Sequence, residues 1–111
     1  MKLTIFLLLC TIVYSDTAQD MDGYYKLKTK ADSLALADDL LQSEVTYLKA
    51  LHVFNHDPLL HINLTAVYLR TGETKKAEKF IALAIENGAT MQVLRSNSSI
   101  GNYLKHSPYS G

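Results

Sequence analysis

The chain has 111 residues, which is enough for one small domain. Its 11 basic and 11 acidic residues cancel and are dispersed, so the sequence lacks the clustered positive charge of a nucleic-acid-binding protein. It also lacks a glycine-rich phosphate loop, and its apolar content of 48% is typical of a globular chain rather than a disordered one.

The first residues have the pattern of an export signal. Lys2 precedes an apolar run from Leu3 to Val13, which has the about 7–15 residues of a signal peptide and is shorter than the about 20 residues of a membrane-spanning helix. Small or permissive residues after this run predict a signal peptide of residues 1–15 that is cleaved after Ser15, and cleavage after Ala18 is the alternative. The sequence therefore predicts a secreted or periplasmic protein with no stable membrane anchor after cleavage.

The predicted mature chain contains no cysteine, because Cys10 lies inside the predicted signal peptide. Such a chain cannot form a disulfide, so packing alone has to stabilise it. Residues 16–23 are polar and are predicted to be a flexible lead-in to the folded part.

Two segments after the lead-in have helical periodicity. Residues 24–37 and 40–54 are predicted helices, because their apolar residues recur at spacings of three and four. Asp38-Asp39 between them is predicted to be a solvent-exposed turn. The side chains predicted to form the core of this pair are Leu27, Ala31, Leu34, Ala37, Leu40, Leu41, Val45, Leu48, Leu51 and Phe54.

The clearest pattern lies between Asp57 and Ala89. Asp57 is a predicted N-cap, and Pro58 suits the first helical position, where no amide partner is needed. Residues 58–71 and 76–87 are predicted helices, and Gly72 or Gly88 follows each of them, where a left-handed residue ends a helix without steric cost. The apolar stripes of these helices are Leu60, Leu64, Val67 and Tyr68 in the first and Ala77, Phe80, Ile81, Ala84 and Ile85 in the second.

This hairpin resembles a tetratricopeptide repeat, a helical pair with a period of about 34 residues. A shift by that period makes residues 24–57 a degenerate first repeat and residues 58–91 the clear one, and it aligns Ser43 with Ala77 and Tyr47 with Ile81. The positions that match the packing residues and the turn glycine of the family are Leu64, Tyr68, Gly72, Ala77, Ile81 and Ala84.

The last segment is predicted to close the array. Residues 92–111 form a capping segment, with short helices over residues 91–95 and 99–106 and with Ser98 or Ser99 as the N-cap of the second. The resemblance then implies an all-α fold, a short right-handed α-solenoid of two helical hairpins plus a capping helix pair. The side chains predicted to cover the second repeat are Leu94, Ile100, Tyr103 and Leu104.

The resemblance implies a non-catalytic scaffold or adaptor that is exported to the cell envelope and binds another protein or a peptide. In the family, the first helix of each pair lines a concave surface, and a solvated face without a dedicated ligand is the alternative. Lys28 and Asn63 match two positions of a clamp for a C-terminal carboxylate, whereas Asp32 replaces its asparagine. The residues that would line the concave surface are Tyr25, Lys28, Asp32, Leu59, Ile62, Asn63, Ala66 and Arg70.

Two other interpretations stay open. The chain could be a repeat module, or a truncated piece, of a larger exported protein such as a hydrolase. It could also bind a metal through His52 and His56, whose four-residue spacing would place both rings on one helix face. Asp57 and His61 could complete such a site only if His61 folded back across the Asp57-Pro58 turn. No nucleophile–base pair can be named, so the sequence predicts no enzyme, no cofactor and no dedicated metal site.

Overall fold

The computed structural model describes residues 21–106, and this part of the chain is all-α, without a strand. None of its helices is long and apolar enough to cross a membrane. The predicted signal peptide, lead-in residues 16–20 and the end of the predicted capping segment, residues 107–111, lie outside the described residues. The helices are α1 within residues 21–36, α2 Leu40–Val53, α3 Pro58–Arg70, α4 Thr74–Glu86, α5 Met91–Ser96 and α6 Ser98–Lys105.

Most predicted helices agree with these bounds to within two residues, but the lead-in prediction is wrong in part. Residues 21–23 are already helical, so α1 includes the end of the segment that was predicted to be flexible. The polar composition of that segment does not oppose a helix, since Asp22 and Lys26 form an i, i+4 ion pair at 3.1 Å on its exposed surface.

Left-handed residues end three of the helices. Gly72 and Gly88, predicted to end α3 and α4, have φ of 80° and 108°. Asp38 takes the same position after α1 with φ of 62°, and Asp tolerates this region because its short side chain can bond locally. After each residue the next amide returns to a helix carbonyl, as from Asp39 to Leu34 at 2.9 Å, which is the Schellman ending.

The larger core cluster combines α1 to α4. Small side chains let α1 and α2 approach closely, since Ala31, Ser43 and Ala50 are fully buried and Ser43 Oγ donates to the Ala31 carbonyl oxygen at 2.8 Å. The buried members of this cluster are Tyr24, Ala31, Tyr47, Ala50, Leu60, Leu64, Val67, Tyr68, Ala77 and Phe80.

The predicted core face of the second helix is wrong in part: Leu40, Leu51 and Phe54 pack against the larger core cluster, but the other three predicted core residues are exposed. Leu41, Val45 and Leu48 are 67%, 38% and 39% exposed, and Ala37 is exposed as well. Apolar residues occur on both sides of α2, so their periodicity does not show which side is buried. Helix α1 can approach α2 closely only on the side that carries small residues. The residues of α2 that are buried instead are Ser43, Thr46, Tyr47 and Ala50.

The last two helices cover one side of α3 and α4. Helices α5 and α6 pack together, and α6 also packs against α3. As predicted, Leu94, Ile100 and Leu104 are buried, in a second cluster that includes Ile62 and Ala84.

The predicted N-cap of α6 is wrong by one or two residues. The cap is Asn97, whose Oδ1 accepts from the amides of Ser99 at 3.1 Å and Ile100 at 3.2 Å. The helix therefore begins at Ser98, and both candidate serines lie inside its first turn. Asn is as good a cap as Ser, so local preference alone did not distinguish them.

Candidate functional site

A surface groove of about 380 Å³ lies between α1, α3 and the start of α6. The groove is more than ten times larger than the about 30 Å³ that one water occupies in the liquid, so it can hold a long side chain. Its lining includes Asp32, Asn63, Ala66 and Arg70 of the predicted concave surface, and it is completed by Ala35, Leu36, Tyr47, Val67, Asn97, Ser98 and Ser99.

A fixed polar cluster forms the floor of the groove. Asp32 Oδ1 accepts a hydrogen bond from Asn63 Nδ2 at 3.1 Å and another from the Tyr47 hydroxyl. Burial, and then the hydrogen bond to Asp32, raise the pKa of Tyr47 far above its usual value, so the phenol stays a proton donor. The cluster ties α1, α2 and α3 together at one point.

Among the described residues, Arg70 is the one cationic side chain that lines the groove, and it already has partners within the chain. Arg70 Nη1 donates to the Ala35 carbonyl oxygen at 3.1 Å, and Nη2 pairs with the Asp38 carboxylate. Arg70 thereby connects α3 to the end of α1, and its charge is offset by Asp38.

The other predicted concave residues lie elsewhere. Ile62 is only 4% exposed, because α5 and α6 cover it. Tyr25 and Leu59 are exposed but do not line the groove. Lys28 Nζ lies 2.9 Å from Asp57 Oδ2, with both side chains largely buried. Lys28 and Asn63, the two residues that match the carboxylate clamp, thus each have a carboxylate partner within the chain.

Several lining residues were missed by reasoning from the sequence. Tyr47 was aligned with a packing position, but it lines the groove, and its hydroxyl donates to Asp32. Asn97, Ser98 and Ser99 come from the far end of the chain and reach the groove because α6 packs against α3. No local pattern predicts that contact, whereas the alignment did place Tyr47 on the correct side of α2.

A second polar cluster joins α1 to α3 at Asp57. Its Oδ1 accepts from the Leu59 amide at 3.0 Å, which confirms the predicted N-cap. Its Oδ2 accepts from the Tyr24 hydroxyl at 2.6 Å and from Lys28 Nζ at 2.9 Å. Burial alone would raise the pKa of the Asp57 carboxyl, but these hydrogen bonds and the charge of Lys28 hold that pKa below its usual value.

His61 is buried beside this cluster. It is 1% exposed, its Nδ1 lies 3.0 Å from the Asp57 carbonyl oxygen, and its ring centre lies 5.9 Å from that of Phe80. Burial lowers the pKa of His61, and the Asp57 carboxylate opposes that effect only in part. The imidazole is therefore neutral in the folded chain near pH 7.

The lowered pKa of His61 predicts that the free energy of unfolding decreases as pH falls below about 6.5, the usual His value. Below that value the unfolded chain binds a proton that the buried imidazole does not, so acid favours unfolding. At lower pH, below about 3.9, protonation of Asp57 adds to the loss, since its folded pKa is also depressed. Urea unfolding followed by circular dichroism at a series of pH values measures both effects.

The variant His61→Asn keeps a donor close to the Nδ1 position and cannot titrate. We expect its stability to vary less between pH 7 and pH 5 than that of the wild type, whatever its absolute stability. His52→Asn is the matched control, because His52 is exposed. If His61→Asn and the wild type have the same pH slope, the buried imidazole does not account for the acid sensitivity.

The predicted pairing of His52 and His56 on one helix face is wrong. Helix α2 ends at Val53, so His56 lies in the connection to α3. There its Nδ1 is 3.2 Å from Asn87 Oδ1, and its ring packs edge-on against Phe54 with centres 5.7 Å apart. Within residues 21–106, no group of three or more His, Cys, Asp or Glu side chains could hold a metal ion.

The fold and the groove define an all-α protein whose helices pack in pairs around two apolar clusters, with a polar groove formed by α1, α3 and α6. Comparison with protein-family models, with curated proteins and with solved structures gives no match for this chain. The function is therefore argued from the groove itself.

Proposed function

We propose that this chain is a non-catalytic protein-interaction module that binds an extended segment of another protein in the groove. The observation that carries the proposal is the groove itself, which is open to solvent between three helices and has a rigid polar floor at Asp32, Tyr47 and Asn63. Fixed hydrogen-bonding groups in a concave surface can orient a partner without themselves moving.

We further propose that the helices form a short right-handed solenoid of the tetratricopeptide type. The left-handed residues Asp38 and Gly72, which end α1 and α3, are separated by the period of about 34 residues. Side chains at equivalent positions of the second helices are small and fully buried, as with Ala50 and Ala84. In this arrangement α1 and α3 are the first helices of the two hairpins, and both line the groove.

We propose that the module works in the cell envelope or outside the cell. The support is the pattern of Lys2 followed by the apolar run Leu3–Val13. N-terminal sequencing of the protein from the medium or periplasm of an exporting host should begin at Asp16, or at Gln19 if cleavage follows Ala18. A product that retains Met1 and stays in the cytoplasm would contradict export.

The interaction proposal is tested by filling the groove. Ala66 is half-buried in the groove lining, so the variant Ala66→Trp should place a large ring in that space. Ala82→Trp is the matched control, because Ala82 is exposed on α4, away from the groove. Both variants and the wild type are used for affinity capture from envelope extract, with helicity checked by circular dichroism.

We expect proteins captured by the wild type and by Ala82→Trp to be lost with Ala66→Trp at unchanged helicity. If Ala66→Trp captures the same proteins as the control, the interface lies on another surface. If none of the three captures a protein above background, the proposed function is wrong.

A second candidate function is favoured by the outer face of α2. Leu41, Val45 and Leu48 form an exposed apolar stripe there, and such a stripe is typical of a surface that packs against another element. The chain would then be a module of a larger exported protein, such as a hydrolase, another part of which covers α2. In that case Leu48→Cys should resist maleimide labelling within the larger protein and react when residues 16–111 are produced alone, whereas equal labelling in both would contradict a covered face.

A further inference from the structure

We infer that the groove selects partners that place a lysine or arginine side chain against Asp32. This inference rests on the proposed function and adds the chemical class of the ligand. It follows from the two charged side chains that line the groove among the described residues: Arg70 forms an ion pair with Asp38, whereas Asp32 has no oppositely charged partner among residues 21–106.

Only one of the two carboxylate oxygens of Asp32 accepts hydrogen bonds from residues 21–106. Its Oδ1 accepts from both Asn63 and Tyr47, whereas its Oδ2 accepts no hydrogen bond from residues 21–106. Both donors of Oδ1 are neutral groups, so they orient the carboxylate without cancelling its charge. A half-buried carboxylate with a free oxygen is an acceptor for a cationic donor.

Within residues 21–106, no lysine or arginine of the chain pairs with Asp32. Lys28 precedes Asp32 by four residues on α1, a spacing at which opposite charges commonly pair. The Nζ atom of Lys28 instead lies 2.9 Å from Oδ2 of Asp57, the N-cap of α3. Arg70, at the end of the groove, is bound to the Ala35 carbonyl oxygen and to Asp38.

The N-terminus of α6 does not favour the binding of an anion in the groove. The amides of Ser99 and Ile100 would otherwise be free to bind a carboxylate or a phosphate, but Asn97 Oδ1 accepts from both. A partner that inserts a carboxylate would meet the charge of Asp32 without an unpaired cation to offset it. A lysine or arginine side chain meets a free acceptor at Asp32 and the serine hydroxyls of the opposite wall.

The test uses immobilised hexapeptides with blocked ends, randomised except at one central position that carries Lys, Arg, norleucine, Gln or Glu. The probe protein is the purified exported chain. We expect peptides with Lys or Arg to bind about tenfold more tightly than those with norleucine, the lower end for a hydrogen bond to a charged group, and those with Glu to bind most weakly. The preference should shrink as NaCl is raised from about 20 to about 500 mM, since the half-buried Asp32 carboxylate lines a groove that is open to solvent, and salt at these concentrations screens charges that solvent reaches.

The deciding variant is Asp32→Asn, which keeps an oxygen that accepts from Tyr47 and Asn63 but removes the charge. It should bind peptides with Lys, norleucine and Gln about equally. Asp22→Asn is the matched control, because Asp22 lies on the same helix, its side chain is 70% exposed, and its ion pair within residues 21–106 is with Lys26. It should keep the wild-type preference, and thermal unfolding monitors the fold of both variants.

The outcomes separate the inference from the proposed function. Peptide binding without a preference for Lys or Arg, or a preference that Asp32→Asn or high salt leaves unchanged, overturns the inference and leaves the binding groove in place. Absence of binding to any peptide overturns both. Because the salt dependence is measured on the wild type, the inference stays testable even if Asp32→Asn does not fold.

Discussion

Replacing Asp57 with Ala should lower the free energy of unfolding by about 3 kcal/mol or more, the largest effect that we expect from a single polar side chain in this protein. The loss of the N-cap of α3 contributes about 1 kcal/mol. The Tyr24 hydroxyl loses its acceptor in a side chain that is fully buried, and Lys28 keeps a largely buried charge without its partner. Groups left buried and unpaired cost about 1–3 kcal/mol each, with a larger cost for charged groups.

The comparison that isolates these cross-helix contacts is Asp39→Ala. Asp39 is the N-cap of α2 and accepts from the Gln42 amide at 3.3 Å, but within residues 21–106 its side chain forms no hydrogen bond or ion pair with another helix. Its loss should cost about 0.5–1 kcal/mol, as for an ordinary cap. Urea unfolding of both variants gives the difference, and if Asp57→Ala costs no more than Asp39→Ala, the bonds to Tyr24 and Lys28 contribute nothing to stability.

The second large effect is expected at Gly101, which lies inside α6. A Cβ on this residue would lie 2.6 Å from the carbonyl oxygen of Arg95, which belongs to the backbone of α5 and cannot rotate away. Overpacking of this kind typically costs about 1–3 kcal/mol. We therefore expect Gly101→Ala to be destabilised by about that amount in thermal or urea unfolding, although alanine is the better helix former by about 1 kcal/mol.

Gly23 provides the matched control, because it lies in α1 and has nothing within 4 Å of the position of a Cβ. Gly23→Ala should be neutral, or more stable by up to about 1 kcal/mol. The opposite signs expected for the same substitution in two helices make the test specific. If Gly101→Ala stabilises the chain as Gly23→Ala does, α5 and α6 do not approach as closely as the structure indicates.

The sequence by itself determined the local features of this protein. Apolar spacing predicted the helices, Asp57 and Pro58 marked the start of α3, and Gly72 and Gly88 marked the ends of α3 and α4. These features depend on the residues of one or two helical turns, because caps and left-handed endings are satisfied by neighbouring backbone groups. Such signals can be read without knowledge of what packs against the helix.

Only the tertiary structure decided which side of α2 is buried and which residues form the groove. Leu41, Val45 and Leu48 are as apolar as a core stripe, but α1 packs against the opposite side, where Ser43 and Ala50 allow close approach. Lys28 is directed to Asp57 rather than to the groove, and Asn97 to Ser99 reach the groove because α6 returns to α3. Each of these outcomes depends on residues distant in sequence. Burial and competition between hydrogen-bond partners set the energies of these contacts, and the periodicity of a single helix carries no information about either.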